Sequence, residues 1–104
     1  MKKLWIDANG IYRAEFEGEE AIVGWFLEQD IQSSQKGCQI YIAALEAVQR
    51  GEVKEWKGTG NAFTVSAKEE ITTISSDFAD DRLRLPILQV IEHLKDWQNH
   101  IAEP

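Results

Sequence analysis

EFEGEEAIVGWFLEQDI, residues Glu15 to Ile31, is the stretch whose reading decides the fold. Its start completes an alternation in which Tyr12, Ala14 and Phe16 share one face and Arg13 and Glu15 the other. That period of two is the pattern of a half-buried strand. Gly18 closes the strand, and beyond it the period lengthens. Ile22, Trp25, Phe26 and Gln29 recur at i, i+3, i+4 and i+7, with Glu19 and Glu20 where a helix N-terminus favours negative charge. The spacing predicts a helix over 19–29. Gly24 inside it costs roughly 1 kcal/mol against alanine, unless its missing side chain lets another backbone come close. Six carboxylates surround the Trp25–Phe26 pair, so the segment suits an interface as well as a core.

Upstream, Leu4-Trp5-Ile6 and Ile11 to Phe16 flank Asp7-Ala8-Asn9-Gly10. Asn-Gly between apolar runs is a hairpin signal, because both residues tolerate positive φ. Strands are expected at 3–7 and 11–17. Downstream, residues 32–37 form a polar loop and Cys38 to Arg50 reads as a helix ended by Gly51. Its buried stripe is expected to be Tyr41, Ala44, Leu45 and Val48, helped by Ile40 and Ala47. Three strands follow as a meander at 53–58, 61–68 and 70–76. In the second, Phe63, Val65 and Ala67 point inward. Ile71 and Ile74 cannot share a face of a regular strand, which predicts a bulge or an early strand end. Ser75 to Arg84 reads as a polar loop with Phe78 plugged into the core. Pro86 suits the first turn of a last helix, whose stripe is Ile87, Val90, Ile91, Leu94, Trp97 and Ile101. These elements predict one α+β domain over 1–104. Its mainly antiparallel sheet comprises an N-terminal hairpin plus a three-stranded meander, with helices on one face and a long C-terminal helix.

Eighteen acids against 11 bases give a net charge of −7. Nucleic-acid affinity rests on clustered Lys and Arg that release counterions, so this balance argues against nucleic acid and against anionic membranes. It favours a basic protein partner, whose approach the field accelerates. A lone cysteine, Cys38, forms no intramolecular disulfide. Met1-Lys2-Lys3 could open a signal peptide, but Leu4-Trp5-Ile6 ends at once in Asp7, and no run approaches a membrane span. A soluble cytoplasmic protein is the expectation.

Chemistry needs converging groups, and the candidates fall away by type. His93 and His100 stand at i, i+7 rather than at the i, i+3 or i, i+4 of helical metal sites, and read as an exposed pair. Cys38 near a helix start could have a lowered thiol pKa, but a structural thiol is the better reading. Gly58-Thr59-Gly60 is too short for a phosphate cradle and is a turn. Asp77, Asp80 and Asp81 lack the ligand alternation and terminal Glu of a calcium loop. No catalytic residue, metal or cofactor is expected. Candidate partner-binding residues are the acids Glu15, Glu17, Glu19, Glu20, Glu28 and Asp30 with Trp25, and the acidic loop residues Asp77, Asp80 and Asp81. Trp97 belongs to the core, whereas Trp5 and Trp56 stand at strand positions of ambiguous facing.

Four blocks in order give the chain a resemblance to the YacL-type family, small bacterial proteins without an established function. They are Asp7-Ala8-Asn9-Gly10 with Ile11 to Phe16, and Glu20 to Phe26 with Glu28 and Asp30. The others are Glu55-Trp56 with Gly60, Phe63, Glu70 and Ile71, and the helix from Leu88 to Trp97. The acidic loop at Asp77 to Asp81 departs from the family pattern, and the family implies no catalytic residues. In size and charge the chain is also similar to the immunity proteins of contact-dependent growth inhibition systems. The expectation is therefore an acidic binding module, an immunity or inhibitor protein that blocks the basic cleft of a partner such as a toxin nuclease. The alternative is a YacL-type housekeeping or structural domain without catalytic activity, self-associating as a homodimer through a sheet edge or the aromatic segment.

Overall fold

The structure, a computed structural model, describes residues 2–102. A hairpin of β1 (Lys3–Ile6) and β2 (Tyr12–Glu15) opens the chain. Asp7 builds its turn: the carbonyl accepts from Gly10 N–H at 3.0 Å, and the carboxylate accepts from the amides of Asn9 and Ile11. Only Gly10, at φ +80, takes the left-handed conformation, so Asn9 does not share the positive φ expected of an Asn-Gly pair.

A 3-10 turn at Gly18–Glu20 leads into α1 (Ala21–Phe26), which widens into a π-helical turn at Leu27–Ile31. Ile22, Val23, Phe26, Leu27 and Ile31 are buried, while Trp25 and Gln29 of the predicted stripe point out. Gly24 explains how this helix approaches β2. A Cβ there would stand 2.8 Å from the Ala14 carbonyl oxygen and 3.2 Å from the Phe16 ring. The Ser34 hydroxyl caps α2 (Gln35–Gln49) by accepting from Gly37 N–H at 2.9 Å. The helix thus starts three residues before its predicted start at Cys38. Its buried stripe is Cys38, Ile42, Leu45 and Val48, with Tyr41 half-buried; Ile40 faces out.

The main sheet has four strands in the order β3 (Glu55–Thr59), β4 (Phe63–Lys68), β5 (Ile71–Ser76) and β6 (Arg82–Pro86), all antiparallel. The predicted meander is therefore one strand short. Arg82-Leu83-Arg84-Leu85 alternates, but its charges disguise it as loop; Leu85 is buried and Leu83 lies against the core. Pro86 ends this edge strand rather than opening a helix, a place where its missing N–H costs no ladder bond. No bulge separates Ile71 from Ile74. The strand runs in register, with Thr72 and Ile74 buried and Ile71 outside. The conflict between the two isoleucines is resolved by a buried threonine, whose hydroxyl has no hydrogen-bond partner among the described residues. Phe78 is not a core plug; it is 82% exposed on the β5–β6 turn.

The last helix, α3 (Ile87–Ala102), buries all six of its predicted core residues. Helices α1, α2 and α3 lie against one face of the four-stranded sheet, where Phe63, Val65, Ala67, Ile74 and Leu85 meet them. The hairpin forms a separate two-stranded sheet against α1 and α3. No helix among the described residues is long and apolar enough to cross a membrane.

Candidate functional site

The nine acids and one tryptophan singled out by sequence separate into two groups in space. Glu28, Asp30, Asp77 and Glu20 are engaged in holding the fold. Glu28 turns back on β2, where it accepts from Ala14 N–H at 2.6 Å and pairs with Arg13 Nε at 3.2 Å. Asp30 leaves the π-helical turn and reaches the β3–β4 turn, accepting from the amides of Ala62 at 2.9 Å and Phe63 at 3.1 Å. Burial raises its pKa, against the lowering effect of those amides. Gly60 is required beside it, since a Cβ there would run into the Asp30 carboxylate. Asp77 accepts from the Thr64 hydroxyl at 2.7 Å. Glu20 accepts from Gln89 Nε2 at 3.3 Å and lies 3.6 Å from His93 Nε2.

The second group is on the surface. Glu15, Glu17, Glu19, Asp80 and Asp81 are exposed, and Trp25 is 46% exposed. Glu15 stands opposite Lys3 on the hairpin. Three members from two distant segments meet in one place. Glu19, Ile22 and Trp25 from the α1 segment face Asp81, Arg82 and Leu83 at the start of β6 across a surface cleft of about 340 Å3. The helix register brings Glu19, Ile22 and Trp25 to one side, and the antiparallel return of β6 supplies the opposite wall. Arg82 and Leu83 were missed as cleft residues because they fall within the stretch read as loop. Their signal was the alternation of Leu83 and Leu85 with Arg82 and Arg84.

The remaining tryptophans are half-buried or buried. Trp56 meets Tyr41 edge to face at 5.3 Å, and Lys3 Nζ lies 5.1 Å from the Trp5 ring. Trp97 is fully buried and donates its indole N–H to the Gln32 carbonyl at 2.8 Å. The histidines are not an exposed pair. His93 receives a hydrogen bond from Lys2 at 3.3 Å and meets Phe16 edge to face at 4.9 Å. His100 contacts the Trp5 carbonyl at 3.1 Å and the Tyr12 ring at 5.2 Å. Both therefore join α3 to the N-terminal segment. Cys38 is fully buried, with its thiol directed at the Leu94 carbonyl at 3.3 Å, and burial pushes its pKa up to about 11. It is a protonated packing group at neutral pH, without the thiolate a nucleophile needs. Among the described residues, no three His, Cys, Asp or Glu side chains converge to hold a metal ion.

No protein-family model matches the chain, and no solved structure matches it. A curated relative, the UPF0231 protein of Shewanella amazonensis (strain ATCC BAA-1098 / SB2B), is 27% identical over 62 residues. That alignment covers 60% of this chain and 50% of the relative, so the chain matches about half the relative's length. The likeness is to a protein of an uncharacterised family.

Proposed function

We propose that the chain is an acidic protein-binding module that receives a basic partner at the Trp25 cleft, and that it acts as an inhibitor of the immunity type. The observation that carries this reading is the half-exposed Trp25 ring with Glu19 and Asp81 in the same cleft, the two acids contributed by distant segments. Large aromatic rings dominate binding energy when a partner covers them. Flanking carboxylates accelerate the approach of a cationic surface and select its orientation. A toxin nuclease is a suitable partner class, because its substrate cleft must be basic to hold phosphates.

The test is association with a basic protein retrieved from the native host at low salt, measured for the wild type and two variants. Glu19→Lys with Asp81→Lys is expected to slow the on-rate at least tenfold at low salt, with the difference shrinking as salt rises. Trp25→Ala is expected to raise the off-rate while leaving the on-rate nearly unchanged. An on-rate indifferent to both charge reversals overturns the electrostatic reading. A second reading is a YacL-type structural domain that self-associates, and the likeness to a UPF0231 protein supports only that the chain is similar to a protein of an uncharacterised family. Light scattering separates the two. A concentration-independent dimer in which Trp25 is shielded from a soluble quencher favours self-association.

A further inference from the structure

The outward face of the four-stranded sheet has the opposite sign to the rest of the molecule. Side chains alternate across a strand, so the register defines which residues share that face. Lys57, Ser66, Thr73 and Arg84 stand in one row across β3, β4, β5 and β6. Glu55, Lys68, Ile71 and Pro86 form the row on one side, and Thr59, Thr64, Ser75 and Arg82 the row on the other. This single face carries four of the chain's 11 Lys and Arg residues but only one of its 18 Asp and Glu residues. None of those four bases has an ion-pair partner among the described residues, whereas Lys2, Arg13, Arg50 and Lys95 all do.

The middle row is a cradle. Lys57 and Arg84 stand on the two edge strands, three strand spacings or roughly 14 Å apart, and are long enough to fold inward. Between them lie the small hydroxyls of Ser66 and Thr73, which have no hydrogen-bond partner among the described residues. The hydroxyls of the next row are committed: Thr59 bonds Thr64, and Thr64 bonds Asp77. With Lys68 beside it, the cradle is a concavity of about 730 Å3, in whose lining the three bases Lys57, Lys68 and Arg84 outnumber the two acids Glu55 and Glu69. All three helices lie on the other side of the sheet.

We propose that this cradle binds a compact phosphate-bearing anion, with Lys57, Lys68 and Arg84 supplying charge and Ser66 and Thr73 supplying hydroxyl donors. Phosphate oxygens are met by this combination of Lys, Arg, Ser and Thr. Two features select a compact ligand over a nucleic-acid strand. The one aromatic residue lining the concavity, Trp56, pairs with the inward-facing Ala67 and packs edge to face on Tyr41, so its ring is not laid across this face to stack a base. Carboxylates also close both ends of the strands, Glu69 and Glu70 at one and Asp77, Asp80 and Asp81 at the other, repelling a polyanion that extends along them. The site is independent of the Trp25 cleft reading, since only Arg82 stands at the border of both.

The probe is inorganic tripolyphosphate, titrated calorimetrically at 25 mM and 150 mM salt and followed by amide NMR shifts. Binding is expected at low salt, weakening at 150 mM, with shifts concentrated in β3 to β6. Lys57→Gln with Arg84→Gln should weaken binding at least tenfold. Lys36→Gln with Lys95→Gln removes the same charge from the helical side and should change it less than twofold. Absent binding, shifts outside the sheet, or equal losses in both variants would overturn the site. A 12-nucleotide single strand or a poly-glutamate peptide binding tenfold tighter than tripolyphosphate would overturn the compact-phosphate assignment in favour of that partner.

Discussion

At the scale of single residues, Gly24 shows how one absent side chain sets a tertiary contact. Helix propensity alone says that alanine there should stabilise the protein by roughly 1 kcal/mol. Packing says otherwise. The added methyl would meet the Ala14 carbonyl, which is backbone held in the β1–β2 ladder and cannot rotate aside. Overpacking of this kind costs about 1–3 kcal/mol. The contact also borders Phe16, whose ring packs on His93. Gly24→Ala is therefore expected to lower stability by up to about 2 kcal/mol net, read as a shift of the urea midpoint at unchanged slope. A stabilised variant would mean that α1 and β2 can separate freely. The possibility of a close backbone approach was legible in the sequence as a glycine inside a helical pattern; its partner, Ala14, was not.

At the scale of elements, legibility follows how far one periodicity decides an element's environment. Helix α3 repeats apolar residues over four turns, and each residue it was expected to bury is buried. Strand β4 likewise alternates without interruption, and Phe63, Val65 and Ala67 are inside. Strand β6 fails this test, because a short edge strand with two arginines on its outer face has the composition of a loop. Within the candidate cleft, the α1 side was readable as Glu19 and Trp25, but the opposite wall depended on β6. Asp30 marks the other boundary of local reasoning. As a carboxylate in an acidic stretch it reads as surface, yet it caps the β3–β4 turn from 32 residues away. Asp30→Ala removes the acceptor for two amides and is expected to cost about 2–3 kcal/mol. Asp30→Asn keeps one good acceptor and should cost roughly half of that. Equal stability of the alanine variant and wild type would show that water replaces the carboxylate without loss. Hydrogen exchange at Ala62 and Phe63 reads the same contact directly, and both amides should lose protection in the alanine variant.

At the scale of the whole molecule, the N-terminal hairpin is not part of the main sheet, so its attachment depends on α1 and α3. His93 sits in that joint with its side chain only 12% exposed. Lys2 has only protons to give, so its contact at 3.3 Å makes Nδ1 the acceptor and places the ring proton on Nε2, towards Glu20. Burial lowers the pKa below the ordinary 6.5, and the Lys2 charge lowers it further; Glu20 and Asp96 oppose both effects. Lys2 is itself ion-paired with Asp96, and Glu17 lines the same small cleft. The folded protein thus holds His93 neutral, while the unfolded chain takes up a proton near 6.5. A depressed histidine pKa makes the unfolded state the better proton binder, so stability falls as pH drops below 6.5 and levels off once the folded-state value is passed. Above pH 7 this contribution is constant. Replacing the ring by His93→Gln should reduce stability at pH 7.5, since the Phe16 contact is lost, yet remove this part of the acid sensitivity. The stability difference between wild type and His93→Gln is therefore expected to narrow as pH falls from 7 to 5, before most carboxylates titrate. Thermal melts of both proteins across that interval measure it, and a difference that stays constant would mean that His93 is protonated equally in the folded and unfolded states.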